Sequence, residues 1–153
     1  MWRLFYMFVF AHDTITRIMA IAKKDFKVFK SSAGFGLRTL KDIKKGELVI
    51  EYTGRKTSNA AAERNPNRYQ FDLDEKWTID GSPRSNTARY INHSCRPNCE
   101  AVHYTDTNEI GIEAIRNIKA GEELTYDYGK EYFNEYIKPV GCKCEKCTAA
   151  RSR

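Results

Sequence analysis

Runs of basic residues are missing from this sequence. Lys and Arg number 26 against 20 Asp and Glu, a net charge of +6, yet they are dispersed as pairs such as Lys23-Lys24 and Lys44-Lys45. That dispersal excludes a nucleic-acid arm or a polybasic targeting signal and leaves the excess as a solvated surface. Long apolar runs are missing as well. The stretch from Trp2 to Ala11 falls far short of the ~20 residues that span a bilayer, so no membrane partner is expected. Its apolar region is rich in aromatics and no small-x-small cleavage site follows, which argues against a secretory leader. Residues 1–22 are expected to be an upstream extension, or to reflect a misassigned start with Met19 opening the conventional sequence.

No cysteine precedes Cys95, and the five present are an odd number. Three crowd into Cys142-Lys143-Cys144-Glu145-Lys146-Cys147, where pairing neighbours as disulfides strains the chain. A metal explains that cluster better. A site of four thiolates needs one more sulfur, and Cys95 or Cys99 can supply it. Thiolates of this kind belong to a reducing interior, so an intracellular location, cytoplasm or nucleus, is expected. With 153 residues, 41% of them hydrophobic, and a mean hydropathy of -0.64, the chain has room for one domain with a modest core.

Helical periodicity is scarce. Thr57 or Ser58 caps a short turn through Ala60, Ala61 and Ala62, and Tyr132, Phe133, Tyr136 and Ile137 form an apolar stripe after Gly129. Strand signals dominate instead: 26–29, 36–40, 48–52, 69–74, 77–80, 100–104, 109–115 and 123–126, with clear alternation in Tyr69, Phe71, Leu73 and in Ile110, Ile112, Ala114. The domain is mainly β. One near-repeat is visible, because Ile43, Lys44, Gly46, Glu47 and Gly54 return 75 positions later as Ile118, Lys119, Gly121, Glu122 and Gly129. Two copies make no solenoid; they predict two similar turns, each leading into a strand.

Three segments can carry chemistry. Gly34-Phe35-Gly36 lets backbone approach a ligand closely, but it lacks the third glycine and the following helix of a dinucleotide fingerprint. Asn92-His93-Ser94-Cys95-Arg96-Pro97-Asn98-Cys99 packs polar, turn-forming and metal-capable groups into eight positions, without an evident nucleophile for His93 to activate. In Gly121-Glu122-Glu123-Leu124-Thr125-Tyr126-Asp127-Tyr128-Gly129 two tyrosines stand two apart, on one face of an extended chain; taken alone, core packing explains them equally well.

The order of these segments, together with Glu51-Tyr52-Thr53-Gly54-Arg55, Tyr69-Gln70-Phe71-Asp72-Leu73-Asp74, Arg89-Tyr90-Ile91-Asn92-His93-Ser94-Cys95 and the terminal cysteines, closely resembles the SET-domain protein-lysine methyltransferases. The match runs from about Lys30 to Cys147. It implies small curled sheets in which the carboxyl-terminal segment passes beneath a loop beside the Asn-His strand, a pseudoknot, in a SET domain over 23–133 with a post-SET zinc segment over 134–153. True threading is rare and composition does not announce it. By the same resemblance S-adenosylmethionine lies against Gly34, Phe35 and Gly36, held by Asn92 and His93 with Tyr69 and Arg89 nearby and Tyr132 on the adenine. Tyr52, Tyr126 and Tyr128 line the channel through which a substrate lysine arrives, and zinc takes Cys95, Cys142, Cys144 and Cys147, leaving Cys99 as the odd thiol.

Tyrosines suit such a channel. A lysine of reference pKa ~10.4 must lose its proton before attacking a methyl group, which costs roughly 4.6 kcal/mol at pH 7, and burial beside a sulfonium lowers that cost. Phenol oxygens and carbonyls then orient amine and methyl in line, so proximity does the work of a base. Two features depart from the family: the amino-terminal zinc module of many histone-directed relatives has no counterpart in this sequence, and the last cysteine gap is two residues rather than the usual four. The expected function is S-adenosylmethionine-dependent methylation of a lysine on a basic protein tail such as a histone, mainly to monomethyl-lysine because Tyr126 stands where relatives carry Tyr or Phe. A catalytically silent SET-fold binding module and a basic zinc-ribbon nucleic-acid binder are the alternatives.

Overall fold

A computed structural model describes residues 23–152; the expected extension over 1–22 lies outside the described residues. The chain enters through a hairpin of β1 (Phe26–Ser31) and β2 (Gly34–Thr39), paired from Phe26↔Thr39 to Ser31↔Gly34. Gly34 begins β2 at φ +118, a conformation that L side chains rarely adopt. Leu37 and Phe26 turn inward.

β3 (Leu48–Tyr52) pairs with β9 (Glu109–Ala114), which pairs in turn with β8 (Cys99–Tyr104), giving a sheet ordered β3-β9-β8. The middle strand is buried almost continuously at Ile110, Gly111 and Ile112, as a strand flanked on both edges and covered on both faces should be. A second three-stranded sheet has β6 (Trp77–Asp80) between β4 (Arg55–Ser58) and β5 (Gln70–Asp72). Between β4 and β5 the Ser58 hydroxyl caps α1 (Asn59–Arg64) by accepting from Ala61 N at 3.3 Å. β4 carried no strand signal because Arg55, Lys56 and Ser58 are exposed, so no apolar alternation marks it.

The smallest sheet joins distant parts of the chain. β7 (Asn92–His93) and β10 (Thr125–Tyr126) run parallel, with Thr125↔Asn92 and Tyr126↔His93. The neighbouring loop closes on the same segment: Ser94 N donates to Tyr126 O at 3.1 Å, Asn98 N to Thr125 O at 3.2 Å and Asn98 Nδ2 to Glu123 O at 2.8 Å. Asn98 Oδ1 accepts from Thr125 N at 2.8 Å. One asparagine side chain thus stands in for a missing strand. This is the crossing that the resemblance implied.

After Gly129 the apolar stripe forms α2 (Lys130–Tyr132), which continues as a π-type turn over Phe133–Ile137 and a 3₁₀ turn over Lys138–Val140. The tail ends in α3 (Glu145–Arg151). The core of Leu37, Ile43, Val49, Ile91, Ile110, Ile112, Ile118 and Leu124 draws on β1–β2, the β3-β9-β8 sheet and the crossing segment. Among the described residues no helix is long and apolar enough to cross a membrane.

The candidate active site and its cysteine cluster

One cavity of about 650 Å³ collects residues from all four sheets, within the ~300–1,000 Å³ usual for small-molecule sites. Phe35 comes from β2, Tyr52 from the end of β3, Tyr69 from the approach to β5, Arg89 from the turn before β7, Asn92 and His93 from β7, Tyr126 from β10, and Tyr128 and Tyr132 from beyond it. Nine of the eleven residues expected for catalysis and cofactor binding therefore line one space. Gly34 and Gly36 flank Phe35, and it is Phe35 that faces the cavity. At Gly36 a Cβ would stand 2.6 Å from Glu123 Oε1, so that glycine makes room for a neighbour in the fold.

The tyrosines form a contiguous wall. Tyr126 lies with its ring centroid 4.8 Å from Tyr128 and 6.0 Å from Phe71, and Tyr52 packs on Phe71 at 4.7 Å. Tyr132 meets Tyr128 edge-on at 4.9 Å. Tyr128 donates its hydroxyl to Ile91 O at 2.6 Å, and Tyr52 donates to Tyr69 O at 2.9 Å. Burial raises both phenols well above the usual tyrosine range, so they remain neutral hydrogen-bonding groups and not phenolate bases. Gly81 is part of the same wall, since a Cβ there would collide with the Tyr52 ring.

Charge sits at the side of the cavity. The Arg89 guanidinium stacks 4.1 Å from the Tyr69 ring centroid and donates Nη1 to Ser82 O. Its Nε is buried without a protein acceptor among the described residues. Arg68, over Tyr136 at 5.6 Å, joins it in the lining. Asn92 Nδ2 donates to Phe35 O at 3.0 Å and to Glu123 Oε1 at 2.9 Å, tying β7 to β2 and to the crossing segment.

His93 is nearly enclosed, its side chain 6% exposed. Nδ1 accepts from Tyr128 N at 3.2 Å, and Nε2 lies 3.4 Å from Cys95 Sγ. Burial depresses its pKa, against the pull of Asp127.

Cys95, Cys142, Cys144 and Cys147 place their sulfurs all within 4.8 Å of one another. Zinc held by four thiolates at ~2.3 Å in a tetrahedron needs sulfurs about 3.8 Å apart. Cys95 lies 3.9 Å from Cys142 and 3.7 Å from Cys147, so the cluster fits that ion. Burial pushes the Cys95 and Cys142 thiols up. At Cys144 burial acts the same way, but main-chain donors of Cys95 and Cys147 and the neighbouring thiols outweigh it and bring it to about 6. Cys144 stands at the N-cap position of α3 and Cys147 lies within its first turn, and with the shortened gap both sulfurs still reach the cluster. Cys99 stands apart on β8, wholly buried and pushed up to about 12 by that burial.

Several working residues carried no separate sequence signal. Asn86, 1% exposed, donates to Gly81 O at 3.0 Å and accepts from Thr53 N at 3.3 Å, yet in Ser85-Asn86-Thr87 it reads as any turn asparagine. Arg68 reaches the cavity from a segment without a motif, and Tyr136 reads in the sequence only as part of the apolar stripe after Gly129. Asn98 and Glu123 were quoted within motifs, but only the fold gives them partners.

Residues 34–129 match the SET domain family. Among curated proteins the chain is 42% identical to histone-lysine N-methyltransferase trithorax of Drosophila virilis over 78% of this chain and 3% of that protein. It is 40% identical to histone-lysine N-methyltransferase, H3 lysine-36 specific, of Mus musculus over 81% and 5%, and 32% identical to histone-lysine N-methyltransferase ASHR3 of Arabidopsis thaliana over 82% and 27%. The chain thus spans a small part of the length of these relatives.

Proposed function

The chain belongs to the SET-domain family, and from that premise we propose that it is an S-adenosylmethionine-dependent protein-lysine N-methyltransferase acting inside the cell on a histone or another basic protein tail. The observation that carries this reading is the convergence of Tyr52, Tyr126 and Tyr128 on the same cavity as Phe35, Asn92 and Arg89. We take 23–133 as the catalytic fold and 134–153 as the segment that closes it around zinc.

When bound, S-adenosylmethionine supplies the methyl group from its sulfonium. Phe35, Asn92, His93, Tyr69, Arg89 and Tyr132 would hold that cofactor, Gly34 and Gly36 shaping the strand that presents Phe35. The aromatic wall excludes water from the lysine amine and disfavours its ammonium form. Tyr128 Oη and Ile91 O, already 2.6 Å apart, orient the amine, so the site works by alignment and not through a general base. Tyr126, 5% exposed and wedged between Phe71 and Tyr128, crowds an already methylated nitrogen, which favours monomethyl-lysine.

Incubation of the full chain with labelled S-adenosylmethionine and core histones, ribosomal proteins or whole-cell extract tests the reading. Label is expected on lysine of a basic protein. Cofactor binding without transfer to any of these would instead support the silent binding module. Protein purified without chelator is expected to carry about one zinc per chain, and a metal-free chain of full activity would remove zinc from the proposal.

A further inference from the structure

His93 lies where two halves of the site meet, and both of its ring nitrogens are engaged. A backbone N–H can be accepted only by an unprotonated ring nitrogen. Tyr128 N donates to Nδ1 at 3.2 Å, so the proton of the neutral ring sits on Nε2, and Nε2 faces Cys95 Sγ at 3.4 Å. The rival partner for Nδ1 is the Asp127 carboxylate at 3.6 Å. That is beyond hydrogen-bond distance, and its Oδ1 already accepts from Gly129 N at 2.9 Å. The rings of Tyr128 and Phe133, with centroids 5.6 Å and 5.4 Å from that of the imidazole, pack against it.

We propose that His93 is a positioning residue that couples the four-cysteine cluster to the tyrosine wall. Cys95, fixed among the sulfurs, accepts a hydrogen bond from Nε2–H and sets the ring's tautomer and angle. The ring's other edge then fixes the main chain of Tyr128, whose hydroxyl stands beside Ile91 O at 2.6 Å. Partners in the second layer around a metal act in this way, setting both ligand basicity and orientation. With both nitrogens spent, only the main chain and ring face of His93 remain for a cofactor. The proposal rests on the cluster holding a metal and on the cavity being the site of methyl transfer.

Nitrogen-15 spectra of the imidazole in the zinc-loaded full chain are expected to show Nε2 protonated; an Nδ1-protonated ring overturns the proposal without any activity measurement. In the cobalt-loaded chain, His93→Asn keeps an acceptor near the Nδ1 position and withdraws the donor from Cys95. It is expected to shift the thiolate-to-cobalt absorption bands and to speed metal loss to a chelator about tenfold, and unchanged bands and release overturn the coupling. His93→Gln keeps a donor near the Nε2 position and removes the acceptor beneath Tyr128 N. Retained cobalt bands with kcat lowered about tenfold and little change in KM are expected; an unchanged kcat overturns the link to Tyr128. Should the methyltransferase reading itself fail, the unmodified chain would show no turnover while its tautomer and cobalt spectrum stayed as described.

Discussion

Ile43 to Glu47 and Ile118 to Glu122 build the same turn and lead to different places. In the first, Lys44 N donates to the Glu47 carboxylate at 3.0 Å and Gly46 has φ +83; in the second, Lys119 N donates to Glu122 at 2.6 Å and Gly121 has φ +91. The isoleucines that open the two turns, each 1% exposed, bridge one another with paired backbone bonds of 2.8 Å. Beyond that bridge the paths separate. The first arm enters a sheet beside β9 and delivers Tyr52; the second pairs as a strand only with the two residues of β7, and its other bonds come singly from the main chains of Leu37, Ser94 and Asn98 and from the Asn98 side chain. A turn written in four or five residues is portable, whereas the strand that follows takes its form from whichever edge is free.

The comparison breaks most sharply at the tyrosines. Tyr128→Phe, on the second arm, is expected to lower turnover by ~10²–10³-fold with cofactor affinity little changed. Tyr52→Phe, on the first arm, loses a bond to Tyr69 O and is expected to cost about 1 kcal/mol of stability with a far smaller kinetic effect. Equal kinetic losses in folded proteins would make the arms equivalent. Product distribution comes next: on the proposed activity, Tyr126→Phe is expected to move products from monomethyl- toward di- and trimethyl-lysine, read by mass spectrometry at long reaction times, and abundant trimethyl-lysine from the unmodified chain would deny Tyr126 that role.

The turns themselves should answer alike. Gly46→Ala and Gly121→Ala each place a Cβ at positive φ with open space around it, so each is expected to lower unfolding free energy by about 1 kcal/mol; clearly unequal losses in urea titrations would show that the turns are not one device. The smallest effect separates the glutamates. Glu122 also binds Arg116 at 2.7 Å, and that hydrogen bond, against burial, holds its carboxyl below the usual range. A group with a depressed folded-state pKa stabilises above its unfolded value of ~4.3 and loses that contribution as pH falls through the folded-state value. Glu122→Gln is therefore expected to flatten the decline in melting temperature between neutral and acid pH, and an unaltered decline would leave the Arg116 pair without weight.

What the sequence disclosed follows the same division between local and distant. β3 and β6 fall where apolar patterning put them, and Ser58 caps α1 as its chemistry suggested. β4 escaped because its side chains are polar and exposed, and β7 because two residues carry no period. The 75-residue repeat was visible, but nothing in its spacing said that Ile43 and Ile118 would pair with each other. The tyrosines were found through the order of motifs and not through any property of tyrosine. The bond from Asn86 to Gly81 O and the contact of His93 with Tyr128 N join partners 5 and 35 residues apart, which no local pattern names.

The crossing of 123–126 against the 92–98 loop also sets a timetable. A chain emerging at ~5–20 residues per second makes the β1–β2 hairpin early. Glu123, the partner of Ser31, lies 92 residues later, about 5 to 20 s of synthesis at that pace. Throughout that interval Leu37, wholly buried in the finished fold and bonded through its carbonyl to Leu124 N at 2.8 Å, lacks that partner. Nascent chains that stall before the crossing segment would expose this surface to chaperones, so protection of the β1–β2 hairpin should arrive in one step, once 123–126 has emerged.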